Sequence, residues 1–402
     1  MTAKKYLWII LALSLLAHFA FFGYPAETVF DEVHFGKFVT GYFKGEYFFD
    51  IHPPLGKLMI AGMAKISGFE PGFSFEAIGQ KFPDSSYKWL RFLPRLAGAL
   101  LPLVIFLIAL ELGISQKFAF LAGLLLVFEN SLLVQSRFIL LDAFLLLFGF
   151  LSILFYLKYK SINYKRSLIT NISYRYLALT GIFAALAASI KWTGLGFLAV
   201  ILIFYFWSWL KSKEKLKQGV NGLIFLILIP LAIYFSIFAV HFSLLDKPGP
   251  GNAFHPPNFQ EMSLFSKFID LNTELYASNA RLGASHPYTS QWYQWPFMNK
   301  PIFYWNDDDG ARIYLIGNPF IWWLSTLAAL YFLITFFKNR KNQVYSLLVI
   351  GYLLNLLPFI FIGRVMFLYH YFTSLIFAIL ILAFLLDKSK FAKNKIAFNA
   401  IL

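Results

Sequence analysis

Two adjacent carboxylates, Asp31 and Glu32 in VFDEVHF, follow an apolar stretch at the start of the chain and precede an aromatic one. A carboxylate near a membrane surface can take a proton from an incoming hydroxyl while cations opposite it hold a departing anion. Cations suited to that task stand at the ends of apolar runs: Arg91 and Arg95 open one run, and Arg137, Lys191 and Arg364 each fall between two. Short outer turns ordinarily avoid Lys and Arg, and ionisable groups at membrane depth mark substrate paths or pairing partners. Taken singly, each cation also fits a structural ion pair or a snorkelling side chain, and the acidic pair fits a solvated loop. Together they favour an outward-facing anionic site, most simply for a phosphate, which guanidinium binds with bidentate geometry. His52, His286 and His370 are further polar groups on the same side. No H-x-x-H, D-x-D or Cys/His spacing supports a metal, and no glycine-rich phosphate loop supports a cytoplasmic nucleotide. Energy for a transfer would have to arrive with the substrate.

The elements that must position these groups follow from composition. The 402 residues are 59% hydrophobic, 20% aromatic and only 14% charged, with a mean hydropathy of +0.65, too little polar surface to cover a soluble protein. Apolar runs of ~20 residues, the length of a bilayer-spanning helix, give ten expected spans: Tyr6–Tyr24, Trp89–Leu112, Phe118–Gln135, Phe138–Leu157, Tyr176–Ile190, Trp192–Leu210, Gly219–Phe242, Leu315–Phe337, Tyr345–Ile362 and Met366–Leu386. The first is long for a signal peptide and lacks an A-x-A cleavage site. Ten spans put both termini inside, and every inside connection is then basic, from Lys117 through Lys158, Lys165, Arg166, Lys211 and Lys338 to the tail Lys388, Lys390, Lys393 and Lys395. The +15 net charge is thus spent on topology and gives no ground for nucleic-acid binding. Residues 25–88 and 243–314 form two long, acid-rich outer connections. In the first, HPPLGKLMIAGMAKISG has the pattern of an interfacial helix; in the second, the Trp/Tyr/Pro-rich residues 286–305 would roof a site open to the bilayer. The expectation is one all-α polytopic domain over residues 1–402. Zero cysteines exclude disulfides and thiol chemistry, and the lack of an internal repeat weakens a carrier reading.

The chain resembles the protein O-mannosyltransferases, membrane glycosyltransferases of the GT-C fold. The matching blocks run in order through FDEVHFGKF (30–38), FFDIHPPLGKL (48–58), RFLPRLAG (91–98), ENSLLVQSRFILLDA (129–143), SIKWTGLG (189–196), HPYTSQWYQWP (286–296), YLIGNPFIWW (314–323) and RVMFLYHYF (364–372). The resemblance implies a polyprenyl (dolichyl) phosphate mannose donor, a Ser/Thr-containing protein acceptor and no metal or other cofactor. Asp31 would be the base and Glu32 its neighbour; Arg91, Arg137, Lys191 and Arg364 would hold the donor phosphate; His52, Asp142, Trp192, His286, Tyr288, His370 and Tyr371 would line the site. It further implies a multi-pass plasma-membrane enzyme with an extracytoplasmic active site, acting as a homo- or heterodimer. Glu129 stands where many relatives carry Asp, and residues 243–314 have no room for the β-trefoil (MIR) insertion of eukaryotic members, which points to the prokaryotic type. Competing readings are a GT-C transferase of another polyprenyl-phosphate sugar or to a lipid or glycan acceptor, a lipid-linked-sugar carrier, and an inactive partner subunit.

Overall fold

A computed structural model describes residues 2–166, 171–281, 283 and 285–389; Lys390, Lys393 and Lys395 of the basic tail lie outside them, as do the side chains of Lys165 and Arg166. The chain opens with α1 (Ala3–Phe19), which stops short of the expected Tyr24 because Phe21 and Gly23 take positive φ and turn the backbone. Outer loop 1 then supplies α2 (Glu32–Lys44) and α3 (Leu55–Ile66). The second of these is the expected HPPLGK helix, started by Pro53 and Pro54. The long α4 (Tyr87–Glu111) carries Arg91 and Arg95 one turn apart on its buried face.

The expected span over 118–135 is two helices, α5 (Gln116–Val127) and α6 (Asn130–Ser136), bent by 57°. Glu129 makes the break: its carboxylate accepts from Ser131 N at 3.1 Å, Ser131 Oγ at 2.6 Å and, from across the fold, Asn318 N at 3.1 Å. An acidic N-cap of this kind restarts a helix in a new direction. The body continues with α7 (Asp142–Arg166), α8 (Asn171–Ile190) and α9 (Leu195–Leu210). Next comes a 30-residue span, Lys215–Leu244, in which α10 (Lys215–Leu223) and α11 (Ile229–Leu244) are joined by the π-helical turn Ile224–Leu228 just ahead of Pro230. Proline removes a donor from the ladder and the wider turn absorbs the loss. Here α8 comes so close that a Cβ on Gly181 would meet Phe225 O at 1.8 Å.

Outer loop 2 holds α12 (Leu264–Arg281) and an antiparallel hairpin, β1 (Ile302–Asn306) and β2 (Arg312–Leu315). The hairpin departs from the all-helical expectation. Its turn is built by Asp307, whose N–H donates to Ala311 O at 3.1 Å and whose Oδ1 accepts from Ala311 N at 2.7 Å, with Gly310 at φ 90°. The described residues of this loop form no β-trefoil. Three helices close the chain: α13 (Pro319–Asn339), α14 (Gln343–Leu354) and α15 (Phe372–Lys388).

Among the described residues eight helices are long and apolar enough to cross a membrane, or nine counting the bent pair; the 17-residue α1 covers the remaining one of the ten expected runs, so length and composition alone do not establish the count of ten. The lipid and core faces separate by burial. From Phe372 to Leu380, α15 is buried on every side, whereas the equally apolar Lys215–Leu244 exposes Leu223, Leu228, Leu231 and Val240, and α13 exposes Leu327, Ile334 and Phe337. A helix that is apolar all round yet exposed has hydrocarbon as its solvent.

Candidate active site

The turn before α2 is the centre of the site. Phe30 sits at φ 46°, a costly conformation for an aromatic residue. It is held there by its N–H on Tyr304 O at 3.1 Å and by its ring, stacked on that of Tyr304 at 4.2 Å. Outer loop 2 thereby fixes the backbone that presents Asp31 and Glu32.

The two carboxylates have opposite environments. Glu32 is fully buried and all four of its lone-pair positions are filled: Oε1 accepts from Arg91 Nε at 2.7 Å and Ile139 N at 2.9 Å, Oε2 from Arg91 Nη2 at 2.6 Å and Val29 N at 2.9 Å. Arg91 is equally saturated. Its remaining N–H groups reach Gly23 O, Pro25 O and Glu27 O at 2.9, 2.7 and 2.6 Å. A guanidinium has five N–H donors, and all five are used, so the expectation that Arg91 holds a phosphate is corrected. It is the clamp that fixes Glu32 and the 23–27 segment.

Asp31, by contrast, caps α2 without a side-chain hydrogen bond and stays partly exposed. Burial pushes its carboxyl up to about 7, helped by the charges of Asp142 and Asp50 and opposed by Lys191. An unpartnered carboxylate with that affinity for a proton is suited to general-base work near neutral pH.

Facing it is a cationic wall. Lys191, in the short break between α8 and α9, is buried and donates to Asp142 Oδ1 at 2.8 Å, with Tyr369 under its ammonium at 5.3 Å. Asp142, the first residue of α7, accepts from Gln135 Nε2 at 2.6 Å through its other oxygen, and Gln135 Oε1 in turn accepts the Tyr304 hydroxyl. A continuous polar chain therefore runs from the roof strand β1 to the ammonium. Arg364 makes no hydrogen bond or ion pair to another described residue, and its charge acts on both His52 and His370. His370 Nδ1 lies 3.1 Å from Phe367 N and 3.0 Å from Phe367 O, so its tautomer sets whether it accepts from the one or donates to the other; its ring stacks on Trp295, and Nε2 has no hydrogen-bond partner among the described residues. Burial, reinforced by Lys191, Arg364 and Lys57, holds His52 well below the usual histidine range, so it is neutral.

Sequence reasoning missed the buried pair Asp50 and Lys57, whose ammonium also bonds His52 O at 2.8 Å. The signal was present, because a lysine between HPPLG and an apolar helix has no route to water. It also missed Gln135, Tyr304 and Tyr369.

Other expected site residues lie elsewhere. Arg137 donates to Ala17 O at 2.6 Å and groups with Arg95 and His18 at the outer end of α1, apart from Lys191 and Arg364. Tyr371 is wholly buried between helices, its hydroxyl 3.1 Å from that of Tyr352. The Trp192 indole donates to Tyr234, which donates to Asn272, tying the break between α8 and α9 to α11 and α12. His286 and Tyr288 are in the roof: the first packs edge-on against Phe367 at 5.0 Å, and Phe367 meets Phe30. The described residues contain no cluster of three metal-binding side chains.

With this geometry in place, the family profile described as dolichyl-phosphate-mannose-protein mannosyltransferase matches residues 8–246, and that of the C-terminal four-transmembrane region of protein O-mannosyltransferase matches 264–401. The chain belongs to the protein O-mannosyltransferase family. Curated protein O-mannosyltransferase relatives include the dolichyl-phosphate-mannose–protein mannosyltransferase 1 of Candida albicans, 36% identical over 64% of this chain and 30% of that protein. Another is protein O-mannosyltransferase 1 of Drosophila melanogaster, 34% identical over 63% and 29%. The matched region thus spans under a third of these relatives. Among solved structures, the Saccharomyces cerevisiae protein O-mannosyltransferase Pmt1–Pmt2 complex bound to the sugar donor superposes with a TM-score of 0.93 at 20% identity, over 100% of this chain and 87% of that one. ArnT of Cupriavidus metallidurans bound to undecaprenyl phosphate gives 0.58 at 12% identity, over 100% and 64%. The protein O-mannosyltransferase architecture of this chain is accordingly the GT-C membrane fold expected from the sequence.

Proposed function

We propose that this chain is an inverting glycosyltransferase that moves mannose from polyprenyl (dolichyl) phosphate mannose to Ser/Thr hydroxyls of exported proteins. The observation that carries the reading is the division of labour in the acidic pair: Glu32 is saturated and Asp31 is free. The names of the family and of its relatives supply the donor and acceptor classes. Lys191 and Arg364 are the phosphate ligands, the first with two N–H groups to spare beside Asp142 and the second with its whole fork unpaired. His370 Nε2, carrying the proton when Nδ1 accepts, adds a neutral donor.

The acceptor oxygen attacks C1 of mannose, the C1–O bond to phosphate breaks, and its electron pair passes to the phosphate oxygen, where the cations stabilise it. The hydroxyl proton goes to Asp31. A single displacement turns a β-linked donor into an α-mannoside. Arg91 and Glu32 serve by holding the strained turn that aims Asp31. The reaction takes place on the extracytoplasmic face of the plasma membrane, with both termini cytoplasmic and without a metal. A dimer, as in the Pmt1–Pmt2 complex, is the working assembly.

The test is transfer from labelled polyprenyl phosphate mannose to Ser/Thr-rich peptides in detergent, with Asp31→Asn and excess EDTA in parallel. Transfer should survive EDTA and fall ~10²–10⁴-fold in the variant, with donor binding retained. Near-normal turnover by Asp31→Asn would remove the base assignment, and label appearing on lipid or glycan with peptides blank would remove the protein acceptor.

A further inference from the structure

A groove of about 530 Å³ runs along the outward face of α2, walled by the 71–74 and 250–254 turns. Its volume is that of a ligand site. Lys37 and Lys44 stand exposed on its rim, with Glu46 the one acid lining it. Its floor carries the Phe49–Phe254 stack at 4.4 Å and the Thr40 hydroxyl, which is shielded and has no hydrogen-bond partner. Neither the catalytic residues nor the phosphate ligands line it.

Position and charge say what fits. Thr40, Gly41 and Lys44 follow Lys37 at three- and four-residue steps, so they form one stripe of α2, the helix that Asp31 caps. At 1.5 Å rise per residue, Lys37 lies ~9 Å and Lys44 ~20 Å along the axis from Asp31. The groove also shares Phe48 with the small chamber lined by Asp50, His52 and Lys57, so it adjoins the site. An extended polypeptide advances about 3.3 Å per residue and would reach the two lysines ~3 and ~6 residues from the hydroxyl at Asp31.

We propose that this groove is the acceptor's flanking-sequence subsite, binding the extended chain on one side of the modified Ser/Thr and favouring acidic residues ~3 and ~6 positions away. The inference rests on the protein-acceptor reading. Apolar residues between the acids would lie on the Phe49–Phe254 floor, and a backbone N–H or side-chain group of the acceptor would meet Thr40.

The test uses the full-length protein in nanodiscs with polyprenyl phosphate mannose and single-Ser peptides of equal length carrying Glu, Gln or Lys at those positions, on the N-terminal or the C-terminal side. Wild-type kcat/KM should favour Glu over Lys by ~5–10-fold on one side only, since screened surface pairs are worth a few-fold each. Lys37→Glu/Lys44→Glu, altering two exposed side chains, should abolish or reverse that preference while transfer to the Gln peptide stays within about twofold. Equal kcat/KM across the series, or a preference unchanged in the double variant, overturns the groove and leaves the protein-acceptor reading standing. Transfer to lipid or glycan with every peptide blank overturns both. A double-variant defect that follows the anionic lipid content of the nanodisc and ignores peptide charge assigns the lysines to the membrane and also overturns the proposal.

Discussion

Replacing Arg91 by Ala separates a clamp from a phosphate ligand. The substitution removes five hydrogen bonds and leaves Glu32 buried with only the Val29 and Ile139 N–H groups. Breaking one side of a buried pair costs roughly 3–5 kcal/mol, and each of the two stranded carbonyls, Pro25 O and Glu27 O, adds about 1 kcal/mol, while Gly23 O keeps the Tyr87 hydroxyl at 2.8 Å. The sum, ~5–7 kcal/mol, is comparable with the whole stability of many domains, so outer loop 1 should open. In detergent, Arg91→Ala should melt well below wild type and be cleaved by protease near residues 23–30. Arg91→Lys, with three donors in place of five, should fall between. Pairing Arg91→Met with Glu32→Gln should recover about 3 kcal/mol relative to the sum of the single changes, because no unpaired charge remains. Melting and proteolysis like wild type, together with donor affinity weakened tenfold or more, would show that the clamp assignment is wrong and that Arg91 holds the phosphate.

Because Asp31 must be ionised to accept a proton and its pKa is raised to about 7, kcat/KM should rise with pH through neutrality and fall about tenfold per unit below pH 6; a rate flat from pH 5 to 8 would contradict this. Lys191 opposes that rise, so Lys191→Met should move the acidic limb upward as well as weaken donor binding, whereas a limb moving down would reverse the electrostatic assignment. Arg364→Gln should raise the donor KM by ~10-fold or more, having no structural bond to lose, and leave the melting temperature in place. Tyr304→Phe removes only the hydroxyl on Gln135 and should lower kcat several-fold with the Phe30 stack intact; unchanged kinetics would show that Gln135 is positioned without it.

What could be read from the sequence was whatever a local pattern dictates. The apolar runs, the basic connections, the HPPLGK helix and the unusual outer cations all follow from solvation of single residues or short segments. The broken span could have been suspected, since Glu129 is a charge inside an apolar run, but its partner Asn318 is 189 residues away. The same distance effect hid the saturation of Arg91, because a guanidinium bound by backbone carbonyls leaves no mark in the sequence. Tyr304 and Gln135 meet across 169 residues, and nothing about either residue type announces the other. The assignment of Tyr371 to the site failed for a related reason: FLYHYF turns from a short 3₁₀ segment into α15 within two residues, so neighbours in the motif face different surroundings.

The pair formed by Asp142 and Lys191 sits between two helix ends of opposite polarity. Asp142 opens α7, where unpaired N–H groups carry partial positive charge, and Lys191 follows the last residue of α8, where unpaired carbonyls carry the negative counterpart. Each ion is therefore steadied by backbone dipoles as well as by the other. Under the proposed role of Lys191 as a phosphate ligand, the ammonium would exchange one anionic neighbour for another as the lipid phosphate arrives, without passing through an isolated state, and would return to Asp142 when it departs. On that proposal the site would discharge its product without leaving a naked cation in a low-dielectric wall. Tight binding of the donor and ready release of the spent carrier are compatible in this arrangement.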